Sequence, residues 1–471
     1  MVHAGRCVGA YLLSLKGTLC MSLHRALFRQ LPLVTALSAA LCASAQAQSL
    51  IDMYEAARGY DASYISAKAQ YEANLARANQ ALGGILPNIA ASVSQTRTDF
   101  QKQVQGEAMK SAVTELETKT TAATLTQPIY RPAAWATYRQ GGYQLQQATA
   151  LYEATEQDLL VRVSQAYFDV LVAEDNLTLL QTQKSAVQEQ LASAKRNFEV
   201  GTATITGVRD AQARFDLATA QEIAAANDLR IKRLALDLVV GMTDAKPKRL
   251  NPASDLIKAP QEDLNAWIDK SQSISPAVRQ AQLGVEIASY EVSKATAVHK
   301  PTLDAQVSYS RTDNLKGTIS PAINNPYTTW TPSVGLVLNV PLFAGFSGVY
   351  KVKEAYALED KARADYEGAK RATAQATRTA YLGLVAGLSQ VKAYEAAEAS
   401  SQSSLDANKL GYSVGVNINI DVLNAQSQLY QTKRDLAKAR YDVLVGSLKL
   451  RQAAGTLTPE DLKPINDLLA P

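Results

Sequence analysis

Cysteine and histidine are nearly absent from this sequence. The three cysteines, Cys7, Cys20 and Cys42, all fall within residues 1–47, and so do His3 and His24. Beyond that point there is no cysteine and one histidine, His299. A disulfide framework and a cysteine metal site are thereby excluded for the remainder of the chain. A single histidine gives no foundation for a transition-metal centre or most histidine-based catalysis. Followed by Lys300-Pro301, His299 reads as a helix-end residue. Long apolar runs are also lacking: beyond residue 47 none approaches the ~20 residues a membrane-spanning helix needs.

The first residues read as an export signal. His24, Arg25 and Arg29 form a basic start, Leu31 to Cys42 an apolar run, and Ala45-Gln46-Ala47 a small-x-small cleavage site. Cleavage is expected after Ala47, so residues 1–47 are a leader. Leu41 is large for the position before a lipidated cysteine, which speaks against Cys42 as an anchor. Met1 and Met21 both remain as starts. Segment 1–47 holds four basic residues, Arg6, Lys16, Arg25 and Arg29, and no acidic one. Of the chain's 48 Lys and Arg that leaves 44, matching its 44 Asp and Glu. A balanced chain carries no signal for nucleic acid. An exported chain without a spanning helix is periplasmic, secreted or an outer-membrane β-barrel.

What is present is a duplication. At an offset of 214, Pro87 meets Pro301, Arg97-Thr98-Asp99 meets Arg311-Thr312-Asp313, and Val200-Gly201 meets Val414-Gly415. Pro128 meets Pro341 after a one-residue slip. The expected domains are a first repeat over 48–241, a Pro-containing linker over 242–263, a second repeat over 264–455 and a tail over 456–471. Each repeat is expected to run helix, β-region, long helix, turn, helix: about 50–86, 88–128, 133–199 and 207–241, then 262–299, 302–341, 345–413 and 421–455. Pro87, Pro128, Pro301 and Pro341 mark the strand–helix junctions.

The β-regions alternate with period 2. Leu303, Ala305, Val307 and Tyr309 interleave with Asp304, Gln306, Ser308 and Ser310; Val334, Leu336, Leu338 and Val340 form the partner. Ile89, Ala91 and Val93, with Ala123 and Leu125, are the weaker first pair. Polar loops are expected over 101–117 and 314–326. Phe100, Tyr309, Tyr327 and Trp330 sit near strand ends, where a membrane-interface girdle would lie. Four strands cannot close a membrane barrel, which starts at about 8. Two chains would supply 8 and three would supply 12, so the strand count demands an oligomer.

The helices are long rods with a heptad pattern. Val422, Leu429, Leu436, Val443 and Leu450 recur every seventh position, with small residues three later at Ala425, Thr432, Ala439, Gly446 and Ala453. The first repeat shows Val208, Phe215, Glu222, Leu229 and Leu236 beside Ala211, Ala218 and Ala225. Such spacing is core packing of a left-handed coiled coil.

Several runs carry a family resemblance: Leu125-Thr-Gln-Pro-Ile-Tyr130, Ala166-Tyr-Phe-Asp-Val-Leu171, Phe198-Glu-Val-Gly201 with Asp210-Ala-Gln-Ala-Arg-Phe215, and Gly411-Tyr-Ser-Val-Gly415 with Ile420-Asp-Val-Leu-Asn-Ala-Gln426. The chain resembles the TolC family over its whole length after the leader, and most closely the branch used in type I protein secretion. The resemblance implies a mainly α fold with a β-barrel portion: a homotrimer whose four strands per chain share a 12-stranded barrel in outer-membrane lipid above a coiled-coil helical tunnel through the periplasm. It implies an equatorial region from linker and tail. It implies as partners a periplasmic membrane-fusion adaptor and an inner-membrane ABC transporter or proton-driven pump. No cofactor, catalytic residue or resident metal is implied. The tip turns would be Gly201 and Gly415. A periplasmic gate would involve Asp421, Asn424, Tyr412, Asn417 and Gly207. Asp421 keeps the first acid of a family pair and Asn424 replaces the second, leaving at most a weak cation ring at Asp421. Tyr412 matches a gate tyrosine, Gly207 stands where the family often has Asp, and Asn417 replaces an Arg. The competing reading of Asn417, Asn419 and Asp421 is helix capping. An exit duct of a multidrug efflux pump is the alternative function. A periplasmic coiled-coil adaptor fits less well, since it would have one hairpin rather than a duplication. No phosphate loop or nucleophile motif suggests an enzyme.

Overall fold

The computed structural model describes residues 48–102, 112–202, 204–251, 262–317, 326–343 and 345–470, with backbone alone for 100–102 and 112–114. The expected leader and linker residues 252–261 lie outside the described residues. The element order is α1 (Leu50–Tyr60), α2 (Ala62–Leu82), β1 (Asn88–Lys102), β2 (Ala112–Tyr130), α3 (Pro132–Glu199), α4 (Ile205–Val240), α5 (Leu264–Ile274), α6 (Pro276–Thr296), β3 (Thr302–Lys316), β4 (Tyr327–Asn339), α7 (Ser347–Ser413), α8 (Asn419–Ala454) and a short α9 (Lys463–Asn466). The same plan is built twice. No described helix is long and apolar enough to cross a membrane.

Each opening helical stretch is broken where one helix was expected. At Asp61 the backbone leaves the helical region, and the carboxylate Oδ1 accepts from Tyr64 N at 2.8 Å, capping α2. At Ser275 the break precedes Pro276, which starts α6 where its missing N–H costs nothing. Heptad spacing runs through both breaks, so periodicity alone did not show them.

The four strands form one antiparallel sheet in the order β1-β2-β3-β4. They are longer than their apolar alternation. Arg97 and Asp99 pair across to Glu117 and Glu115, inside the stretch expected as loop. There the pattern stays period 2 but turns charged, and an apolar-alternation reading stops early. Pro128, expected at the end of its strand, lies two residues inside β2. A register shift between Pro128 and Tyr130 accommodates it, since proline lacks a ladder donor.

Below the sheet, α4, α3, α8 and α7 pack side by side in that order. At 68 and 67 residues, α3 and α7 are each roughly 100 Å long. The α8 heptad seam Leu436, Val443 and Leu450 packs with Leu384 and Val391 of α7. A second buried stripe on α8, Tyr441, Leu444 and Leu448, faces α3 through Phe168 and Leu171. That joins the two hairpins. The same core takes in Leu50 and Met53 of α1 and Leu457, Leu462, Ile465 and Leu469 of the tail. Linker and tail meet there: Leu250 bridges Leu469, and Ala470 N donates to Arg249 O at 2.7 Å.

Two carboxylates in this region behave oppositely. Arg162 donates to Asp61 at 2.9 and 3.1 Å, and that bidentate hydrogen bond, opposed by burial, holds the Asp61 carboxyl below its ordinary range. Asp175 is pushed up, chiefly by burial, although Tyr441 Oη donates to it at 2.8 Å. For Asp61 the folded value lies below the unfolded one. Its stabilisation is therefore complete above the unfolded value near 4 and drains away as pH falls through the folded one. Asp61→Ala removes both cap and pair partner and leaves Arg162 half-buried, at a cost of about 3 kcal/mol. Amide exchange of α1 and α2 should accelerate at pH 7 in Asp61→Ala and lose this acid-side dependence; protection equal to wild type would refute the assignment.

Candidate functional site: the helix-hairpin tip and the membrane sheet

The α3–α4 and α7–α8 hairpins reverse through matching turns. Gly201 and Gly415 both sit at φ +79°, a left-handed conformation an L side chain resists. Thr202 N returns to Asn197 O at 2.8 Å, and Val416 N to Gly411 O at 2.8 Å, satisfying the last carbonyls of each long helix. Thr204 caps α4 by accepting from Gly207 N at 3.3 Å. Asp421 Oδ2 accepts from Ile418 N at 3.2 Å at the start of α8, where a negative charge also suits the helix dipole.

The structure separates the expected gate residues into two groups. Tyr412 and Asn424 reach the other hairpin: Asn197 Nδ2 donates to Tyr412 Oη at 3.1 Å, and Arg214 Nη2 donates to Asn424 Oδ1 at 2.5 Å. Asp421 caps its own helix, and Asn417 Nδ2 donates to Asn408 Oδ1 at 2.9 Å within its own hairpin. Gly207 lines a recess of about 610 Å³ between the two turns, with Asn197, Thr204, Tyr412 and Asn419 also on its walls. Bare Gly411 makes room for Asn417: a Cβ there would stand 2.7 Å from the amide nitrogen.

Sequence reasoning missed most of the groups that join the hairpins. Arg214 also reaches Ser427 Oγ at 3.4 Å, and Gln190 pairs with Asn419. Leu423, 1 % exposed, packs among Val187, Leu191, Ala194 and Ala211. The duplication masked them. At offset 214 Asn197 falls on Gly411 and Arg214 on Gln428, so the contacts arise where the repeats differ.

At the other end the sheet has two unlike faces. One carries Ile89, Val93, Leu125, Val307, Val334 and Leu336; Ile89, Val93, Val334 and Leu336 are each more than 60 % exposed. The opposite face is a Ser/Thr surface on which Ser308 pairs with Ser333 at 2.7 Å and Thr120 with Thr312 at 3.4 Å. Apolar-out and polar-in is the pattern of a barrel wall. Of the expected girdle, Tyr309 and Trp330 share the apolar face. Tyr327, opposite Asn314, has the other parity, because neighbouring residues of a strand point to opposite sides; Phe100 lies among residues whose side chains are not described. Where sheet meets helix, Arg131 grips Asp304 bidentately at 2.7 Å on both oxygens.

The model of the outer membrane efflux protein family matches residues 53–242 and again 267–456, both repeats. The chain belongs to the outer membrane efflux protein family. It is 31 % identical over 439 residues to the outer membrane protein TolC of Vibrio cholerae, covering 93 % of this chain and 97 % of that protein. It is 30 % identical over 433 residues to the alkaline protease secretion protein AprF of Pseudomonas aeruginosa, covering 88 % and 86 %. The crystal structure of the outer membrane protein VceC from Vibrio cholerae superposes with a TM-score of 0.73 at 17 % identity, covering 86 % of this chain and 96 % of that one. Members of the family are passive trimeric channels of the outer membrane that extend into the periplasm and work with adaptor and inner-membrane pump partners; they are not enzymes.

In a channel of this family Leu423 is the apolar pin of the tip. Leu423→Ala should cost about 3 kcal/mol locally, read as roughly hundredfold faster amide exchange in the first turns of α8 with the equatorial core unchanged. Equal exchange in both proteins would remove Leu423 from that role.

Proposed function

We propose that this chain is the exit duct of a type I protein secretion apparatus, docked at its tip to a periplasmic adaptor and an inner-membrane ABC transporter. The observation that supports it is near-full-length identity of 30 % to a channel whose name assigns it to protease secretion. Mass spectrometry of culture medium with and without the gene tests it. Large Gly-rich, Ca²⁺-binding repeat proteins should vanish from the medium of the deletion strain. An unchanged set of secreted proteins contradicts the proposal and moves the chain to small-molecule efflux.

The tip is the gate in this reading. Among the described residues, four side-chain contacts tie the two hairpins together at the tip, and Arg214, which makes two of them, is the one charged group in the set. Hydrogen bonds to charged groups contribute about 1.5 kcal/mol or more. Arg214→Ala should therefore raise the open-to-closed ratio roughly tenfold in planar bilayers; wild-type conductance in the variant contradicts the latch. Three copies of Asp421 around the pore would form a weak cation ring. Asp421→Ala should weaken block by divalent cations added from the periplasmic side, and unchanged block would leave Asp421 as a helix cap alone.

A further inference from the structure

The apolar face of the sheet changes chemistry in register. Moving away from the helices, Val307 opposite Val334 is followed by Tyr309 opposite Pro332, then Arg311 opposite Trp330. One row on, Lys119 lies opposite Asp313, and beyond it Arg97 lies opposite Glu117. The face that meets acyl chains therefore ends in Tyr309 and Trp330, and three successive rows, beginning with that of Trp330, each bring a cation to the same face. With rows two residues apart along each strand, they span on the order of 10–15 Å, the depth of a headgroup layer.

Each arginine is tethered to a carboxylate through its Nε. Arg311 holds Asp313 through Nε at 3.0 Å, while Thr328 Oγ1 donates to the same carboxylate oxygen at 2.7 Å. Arg97 holds Glu115 through Nε at 2.7 Å, and Lys316 takes the other oxygen of Glu115 at 2.7 Å. Among the described residues neither arginine uses its terminal Nη groups, and Lys119 donates no hydrogen bond. Arg97 and Arg311 are 67 % and 53 % exposed. A tethered Nε with a free fork suits a bidentate phosphate oxygen pair.

We propose that Arg311, Lys119 and Arg97 form a headgroup site on the barrel wall that binds the phosphate groups of outer-leaflet lipids. The occupant is a lipid rather than a free anion, for two reasons. Asp313, Glu115 and Glu117 stand among the cations and make the site poor for a solvated anion. The apolar face is continuous with it below and contributes the acyl-chain contact. The site rests on the outer-membrane channel fold and is independent of which cargo the duct exports.

The test is lipid binding to the detergent-solubilised trimer by native mass spectrometry. The probes are bisphosphorylated lipid A, the same lipid without phosphates, and inorganic phosphate. A surface cation near charged headgroups is worth about fivefold in affinity, so Lys119→Gln/Arg311→Gln should lose roughly 30-fold for the phosphorylated lipid. Lys119→Arg should retain binding, whereas Arg311→Lys, which keeps the charge and loses the fork, should bind more weakly than wild type, and every variant should still assemble as the trimer. If the double variant fails to assemble, each single substitution should lose about fivefold. Wild-type binding that ignores the lipid phosphates, or Gln variants that bind as wild type, overturns the site. Inorganic phosphate displacing the lipid at equal concentration would make it a free-anion site and overturn the lipid assignment.

Discussion

Unpaired strand edges in lipid are the constraint on which the rest of this molecule depends. Within one chain the sheet order leaves β1 and β4 as edges, over 15 and 13 residues. Every backbone group that meets hydrocarbon unpaired costs several kcal/mol. Closing the barrel with further copies removes both edges at once. The helices below share this incompleteness. The row α4–α3–α8–α7 ends in α4 and α7, and α4 leaves Leu217, Ile223, Ile231, Leu234 and Leu238 exposed within the single chain. Barrel and tunnel are both left for further copies of the chain to complete.

Duplication supplies the scaffold and divergence supplies the links between the hairpins. Both repeats place a glycine at φ +79° in the tip turn and end the last helix with a glycine at φ +74°. Against that matched frame the polar links are asymmetric. The second hairpin offers Tyr412, Asn419, Asn424 and Ser427, and the first answers with Asn197, Gln190 and Arg214. These contacts are drawn from positions at which the two repeats differ.

Most of the fold was legible because its elements are long and strongly periodic. Heptads and period-2 alternation placed the long helices to within a residue or two, and the repeat placed their partners. Three kinds of feature escaped. Asp61 breaks a helix through a local cap that leaves the apolar spacing untouched. The outer halves of the strands keep alternation but exchange apolar residues for charged ones. Leu423 and Tyr441 belong to a second buried stripe on α8, and one seam in a sequence does not announce another. At the site, residue types were found more readily than partners. Tyr412 and Asn424 were named; Arg214 stands within the run 210–215 that carries the resemblance, but nothing in that run marks it as their neighbour.

The trimer is the central claim, and native mass spectrometry of the channel extracted from outer membranes in mild detergent tests it most directly. The account predicts one dominant species of three chains, enough for a closed 12-stranded barrel. A stable pair of chains would mean an 8-stranded barrel and a different tunnel, and a stable folded monomer would contradict the requirement that its strand edges be paired.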